Sequence, residues 1–122
     1  MNKYDNYEEC EQLLLTSGFR LDIKRELLPK TLFSYLYMKD DNIAVTVHFA
    51  PDKNYCDMTL GINYSGEDNG WEQVASTFGG KGDRFLFKVD KEAFLRVVCN
   101  FPYNEIEKEF RKMEIENTLR VL

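Results

Sequence analysis

The sequence predicts an α+β fold: one domain over residues 1–122, in which an antiparallel meander of four to five strands packs against an N-terminal helix and two C-terminal helices. Two patterns predict it. Apolar residues recur at helical spacing near both ends of the chain, and they alternate with period two through its middle. A length of 122 residues suffices to bury one core and leaves almost no room for a second domain.

The first helix is predicted from about Asp5 to Ser17. Asp5 is a favourable N-cap residue, and Glu8, three positions later, completes a capping box. Gly18 follows at the position where a glycine commonly ends a helix. The residues expected to face the core share one helical stripe: Tyr7, Cys10 and Leu14.

Alternating apolar residues then predict four strands joined by short polar turns, over about residues 19–24, 31–39, 43–49 and 56–64. A fifth strand is expected over about residues 85–89. Residues 71–78 favour a helix, because Trp71, Val74 and Phe78 fall on one helical face, and a strand is the alternative.

Two helices are predicted at the end of the chain, one capped by Asp90 and one beginning at Pro102. Their apolar residues recur at helical spacing, so each helix has one face for the core. We therefore expect the core to combine these stripes with the inward faces of the strands: Val45, Val47, Leu60, Ile62, Phe87, Phe94, Val98 and Phe110.

The cysteines are far apart and form neither a Cys-x-x-Cys motif nor a zinc-binding pattern: Cys10, Cys56 and Cys99. Each lies in an apolar pattern, so buried free thiols in a reducing compartment are expected. The single histidine, His48, has no sequence motif of catalytic partners. If Val47 pairs with Met58, His48 lies opposite Asp57 across the sheet. The sequence predicts no catalytic residue, no metal site and no cofactor.

The N-terminus lacks the apolar stretch of a signal peptide, and no apolar run approaches the ~20 residues that a membrane helix needs. We therefore expect a cytoplasmic protein without membrane contact. The net charge is −5, and residues 40–72 hold seven of the 21 acidic residues and one of the 16 basic ones. This field repels nucleic-acid phosphates and attracts basic protein surfaces, and no basic stripe predicts direct nucleic-acid binding.

Part of this negative charge is expected to cluster at one end of the sheet. In a meander, the turn at residues 39–42 and the loop at residues 65–70 both follow even-numbered strands, so they lie at the same end. The sequence therefore predicts a binding surface in which carboxylates steer a partner and one large aromatic side chain anchors it. Its residues are Asp40, Asp41, Glu67, Asp68 and Trp71.

An aromatic strip in the second strand predicts an alternative interface. A tight hairpin at Asp40 and Asp41 pairs Met38 with Ile43, and Leu36 with Val45. That register places an apolar strip on the face that points away from Val45, where either a helix covers it or it forms a protein interface. The strip consists of Phe33, Tyr35, Tyr37 and His48.

No family resemblance is identified at the level of residues, and the expected function is protein binding without catalysis. In size, acidity and lack of motifs the chain is similar to immunity proteins against nuclease toxins and to phage anti-defence proteins such as anti-CRISPR inhibitors. The expectation is a phage or bacterial inhibitor that occludes a basic surface, for example on a nuclease.

Two alternatives remain open. One is an acidic binding protein similar to secretion chaperones, which form dimers, so a homodimer stays open for this chain as well. Against it, those chaperones have three strands before their middle helix, where this chain is predicted to have four. The other alternative is a small enzyme whose carboxylate site is assembled only by the fold.

Overall fold

Six strands form one sheet in chain order, and the helices pack on one of its faces. The computed structural model describes residues 3–78 and 85–121. The elements are α1 (Tyr7–Thr16), β1 (Arg20–Leu28), β2 (Leu32–Lys39), β3 (Ile43–Ala50), β4 (Tyr55–Asn63), β5 (Trp71–Ser76), β6 (Phe87–Lys88), α2 (Lys91–Asn100) and α3 (Tyr103–Val121). The α+β prediction is confirmed, with six strands instead of four to five.

The N-cap of helix α1 lies one residue later than predicted. Asn6 is its N-cap, and the Asn6 side-chain oxygen accepts a hydrogen bond of 2.8 Å from the Glu8 backbone N–H. Asp5 lies in a preceding 3₁₀ turn, Lys3–Asp5, and its carboxylate pairs with Lys91 of α2. At the other end the prediction holds, because Gly18 has a φ of 99°, which glycine adopts without steric cost.

Strands β1 to β5 pair antiparallel, and β6 joins the edge of β5 in a parallel arrangement. Between β3 and β4, Val47 pairs with Met58, so His48 lies opposite Asp57 as the sequence predicts. Paired residues in an antiparallel sheet project their side chains from the same face. His48 and Asp57 therefore share the face opposite to Val47.

The segment Trp71–Ser76 is strand β5, so the favoured helix prediction is wrong and the strand alternative is right. Its pairing with β4 contains a bulge: Gln73 pairs with Gly61 and Ala75 with Leu60, which leaves Val74 as the extra residue. The bulge interrupts the period-two alternation, so Val74 and Ala75 are both buried. That interruption produced the helical spacing seen in the sequence.

The register between β2 and β3 differs from the predicted one by one residue. Lys39 pairs with Ile43 and Met38 with Ala44, so the hairpin loop contains three residues, Asp40 to Asn42, instead of two. A slip of one residue moves every side chain of a strand to the other face of the sheet. The aromatic residues of β2 consequently share the face of Val45 and Val47, which the helices cover.

The core combines this covered sheet face with one stripe from each helix. All eight residues expected in the core are buried: Val45, Val47, Leu60, Ile62, Phe87, Phe94, Val98 and Phe110. Phe110 of α3 lies between Phe87 and Phe94, with ring centroids 6.0 and 6.4 Å away. The opposite face of the sheet is covered by none of the helices in residues 3–78 and 85–121.

Candidate functional site

The hairpin loop between β2 and β3 presents two carboxylates at one end of the sheet. Asp40 and Asp41 both adopt left-handed backbone conformations, with φ of 54° and 59°. Asp41 accepts a hydrogen bond of 2.7 Å from the Arg20 guanidinium, and the two side chains are 87% and 56% exposed. Such an exposed ion pair contributes little to stability, so Asp41 remains accessible to another cation.

The loop between β4 and β5 presents the other two carboxylates and is organised around Asn63, which is buried. The Asn63 Nδ2 donates to the Glu67 carbonyl at 2.8 Å, and its Oδ1 accepts from the Gly66 N–H at 2.9 Å. The Gly70 N–H donates to the same Glu67 carbonyl at 2.9 Å. The backbone that carries Glu67 and Asp68 is therefore held in one conformation by local hydrogen bonds.

The two acidic loops are joined at their bases. The Asn63 backbone N–H donates to the Asn42 carbonyl at 2.9 Å, next to the Ile43–Ile62 strand pair. Trp71 pairs with Asn63 at the start of β5, so it belongs to the same end. The structure thus brings together the ends of the strands that carry all the residues predicted for the acidic surface: Asp40, Asp41, Glu67, Asp68 and Trp71.

Trp71 is half-buried on the open face of the sheet. Its Cε3 lies 3.6 Å from the position that a Cβ atom on Gly61 would occupy, so the indole ring lies beside the glycine. Beyond Gly61 the open face continues across the central strands with half-buried side chains of small or apolar type: Leu36, Met38, Ala44, Thr46 and Thr59. The acidic end and this apolar area form one continuous surface.

The open face continues to the far end of the sheet, where a groove of about 420 Å³ is found. The base of the groove is formed by residues that lie in one row across the sheet. Among them are Leu28 of β1 and Leu32 of β2, which pair with each other. Leu28 is 54% exposed, so this end presents apolar surface to solvent. The lining residues are Leu28, Thr31, Leu32, Ala50, Lys53 and Tyr55.

His48 lies in the middle of the open face, between the groove and the apolar area. Its cross-strand neighbour Asp57 accepts a 2.9 Å hydrogen bond from the Thr77 hydroxyl. Burial lowers the pKa of His48, although the Asp57 charge acts in the opposite direction. The ring is therefore neutral at pH 7, and its Nδ1 atom is buried without a hydrogen-bond partner among the residues that the structure describes.

The alternative interface is not assembled as predicted. Phe33, Tyr35 and Tyr37 lie on the covered face, whereas His48 lies on the open one. Tyr7 of α1 stacks on Phe49 at 3.8 Å between ring centroids and meets Tyr35 edge-on at 5.7 Å. The strip is thus packed against a helix, and Tyr37 is fully buried.

A carboxylate that sequence reasoning missed lies beneath this strip. The hydroxyls of Tyr7 and Tyr37 both hydrogen-bond to the Glu11 carboxylate, and the two hydroxyl oxygens lie 2.6 Å apart. Burial, together with Glu11, raises the pKa of Tyr7 and of Tyr37. Tyr7 and Glu11 are four residues apart on α1, and this spacing was the feature of the sequence that indicates a contact between them.

The chain shows no significant match to any protein-family model, curated protein or solved structure with which it was compared. Within residues 3–78 and 85–121, no three histidine, cysteine or acidic side chains come together as metal ligands. No helix in the same ranges has the length and apolar character needed to cross a bilayer. The functional interpretation therefore rests on the surface described above.

Proposed function

We propose that this protein is a cytoplasmic, non-enzymatic inhibitor that binds a protein partner and occludes a basic surface on it, as immunity proteins and phage anti-defence proteins do. The observation that supports this most is the continuity of the acidic end with the open sheet face. Carboxylates at the end of the sheet steer a basic partner, and the half-buried Trp71 offers an apolar anchor beside them.

The backbone of the acidic surface also favours binding. A loop that is already ordered loses little conformational entropy when a partner docks, so more of the contact energy appears as affinity. The hydrogen bonds around Asn63 supply that order for Glu67 and Asp68. Arg20 neutralises part of the charge of Asp41, and a partner's arginine replaces it at little cost because the pair is exposed.

The proposal is tested by replacing Asp40, Asp41, Glu67 and Asp68 with serine. The variant is expected to remain folded, because exposed carboxylates contribute little to stability. Immobilised wild type and variant are incubated with lysate of the native host at low and at high salt. Wild type should retain a basic protein at low salt that the variant does not retain, and the variant's association rate with the purified partner should fall at least tenfold at low salt.

A matched control separates local charge from total charge. Serine at Glu9, Asp52, Glu92 and Glu116 removes the same number of exposed carboxylates from other parts of the surface. This control should retain the partner as wild type does. If both quadruple variants lose the partner equally, or if neither does, the acidic end is not the binding site.

A second copy of the chain is the other candidate occupant of the open face, as in a secretion-chaperone-like dimer. The half-buried apolar side chains of β2 and β3 favour it, because such a surface is well suited to a sheet-to-sheet contact. Against it, the described residues contain no α-helix between β1 and β6. Sedimentation of the wild type distinguishes the inhibitor from the chaperone-like dimer. A stable dimer that is dissociated by Met38→Lys would support the chaperone-like alternative.

A further inference from the structure

Two cysteines from different elements meet in the core. Cys10 on α1 and Cys56 on β4 are both fully buried, and their Sγ atoms lie 3.7 Å apart. Cys56 donates its thiol hydrogen toward the Cys10 sulfur, and the Cys10 thiol points to the Tyr4 carbonyl at 3.4 Å. The contact joins the N-terminal helix to the middle of the sheet.

The environment makes the two thiols unequal. The hydrogen bond from Cys56 lowers the pKa of the Cys10 thiol, and the nearby Lys91 ammonium acts in the same direction. The same hydrogen bond, together with burial, raises the pKa of Cys56. Because the thiolate is the reactive form of cysteine, we expect Cys10 to be the attacking thiol once an oxidant reaches the buried pair.

We propose that Cys10 and Cys56 form an intramolecular disulfide when the reduced protein meets hydrogen peroxide, which makes the pair an oxidation site. The Cys10 thiolate attacks one peroxide oxygen; an S–O bond forms, the O–O bond breaks, and the departing hydroxide takes up a proton to become water. Cys56 sulfur then attacks the Cys10 sulfenic acid; the S–S bond forms, the S–O bond breaks, and the hydroxide leaves as water with the Cys56 proton. Two thiols and one peroxide give one disulfide and two waters.

The geometry requires only a small movement. The sulfur atoms have to approach from 3.7 Å to about 2.0 Å, so the proposal requires the two side chains to rotate toward each other. The resulting bond spans 46 residues of sequence. A cross-link of this span restricts the unfolded chain, so the oxidised protein should melt at a temperature higher by on the order of 10 °C.

Cys99 is an internal control. It is on α2, its Sγ contacts the Leu13 carbonyl at 3.8 Å, and burial raises the pKa of its thiol. Cys10 is near enough to influence the pKa of Cys99, but the sulfur contact of Cys10 in the described residues is with Cys56. We therefore expect Cys99 to remain a thiol while the other two cysteines react.

The experiment treats the reduced, folded protein with hydrogen peroxide, blocks the remaining thiols with iodoacetamide and maps the peptides without reduction. The expected product has lost two hydrogen atoms, carries one alkylated cysteine at position 99 and contains a peptide pair linked through positions 10 and 56. Cys99→Ser should give the same linked pair. Cys56→Ser should stop at the sulfenic acid of Cys10, which dimedone traps.

The proposal is wrong if peroxide leaves both cysteines alkylatable, converts them separately to sulfinic acids, or links either of them to Cys99. If Cys56→Ser fails to fold, the wild type and Cys99→Ser decide the question, since neither changes the pair. A linked protein that melts no higher than the reduced one contradicts the stabilising effect of the bond.

Discussion

Asn63, at the end of β4, is hydrogen-bonded to both acidic loops. Its backbone N–H binds the Asn42 carbonyl, and its side chain binds the backbone of Gly66 and Glu67. Both ends of this buried side-chain amide are hydrogen-bonded, so its loss would leave the Gly66 N–H and the Glu67 carbonyl without these partners. The position of the acidic loop therefore depends on a residue that is itself uncharged.

Gly70 allows that loop to close. A Cβ atom at this position would lie 2.0 Å from the Ser65 Oγ and 2.7 Å from the Asn63 Oδ1. Ser65 can rotate away, but Asn63 is held in place, so Gly70→Ala should destabilise the protein by about 1–2 kcal/mol through this overlap. Gly61→Ala is the control, because its Cβ would meet neighbours only at 3.6 Å. Equal midpoints in urea for the two variants would contradict this view of the loop.

Val47 tests the assignment of faces in the sheet. It is fully buried between Tyr35 and Met58 on the covered face, whereas its neighbour Thr46 is half-buried on the open face. Val47→Asp should prevent folding, because an unpaired charge there has no partner to offset its desolvation. Thr46→Asp should remain folded, with circular dichroism and melting close to wild type. A soluble, native-like Val47→Asp protein would show that the faces are assigned wrongly.

Among the elements, α1 shows how a short helix depends on its packing. A helix of ten residues is marginal on its own, so its contacts with the sheet must hold it. Cys10 and Leu14 are fully buried, and Tyr7 packs on the aromatic residues of β2 and β3. Glu11 adds a polar anchor under the helix, through the hydroxyls of Tyr7 and Tyr37.

Glu11→Ala should therefore lower the free energy of unfolding by about 1–3 kcal/mol, because the hydrogen bonds from Tyr7 and Tyr37 to a carboxylate are lost, while the contact between the two hydroxyls remains. Gln12→Ala is the control on the same helix, since Gln12 is exposed. Urea unfolding measures both. A loss for Gln12→Ala as large as that for Glu11→Ala would mean that the effect does not come from the buried cluster, since alanine favours the helix at both positions.

At the scale of the whole molecule, the tyrosines link stability to pH. An unfolded tyrosine titrates near pH 10. In the folded protein, burial and the contacts of Tyr7 and Tyr37 with Glu11 raise their pKa values, and burial raises the pKa of Tyr55 and of Tyr64 to about 12. Above about pH 10 the unfolded state releases protons that the folded state keeps, so stability falls as pH rises.

The expected slope from Tyr37, which is fully buried, is about 1.4 kcal/mol per pH unit between its unfolded and its folded pKa. Urea unfolding at several pH values from 8 to 11.5, roughly the range around the tyrosine pKa, measures it. Tyr37→Phe should be less stable at neutral pH. Its free energy of unfolding should also fall less steeply with pH, by the contribution of one proton. An unchanged slope in this variant would mean that Tyr37 does not contribute to the alkaline loss of stability.

The sequence by itself determined the fold class, the eight core residues, the pairing of His48 with Asp57, and the common end of the sheet for both acidic loops. These features follow from local periodicity and from the alternation of direction in a meander. Both are properties of neighbouring residues, and a sequence displays them directly. The N-cap was misplaced by one residue because Asp5 and Asn6 are both good capping residues.

Tertiary structure alone decided the register of β2 against β3, the strand at Trp71 and the partners of Glu11 and Cys10. The hairpin loop has three residues because that length lets the aromatic side chains of β2 join Val45 and Val47 under α1. The bulge at Val74 buries two consecutive residues, a pattern that alternation cannot predict. In each case the deciding contacts are between residues far apart in the chain, and their packing energy outweighs the local preference.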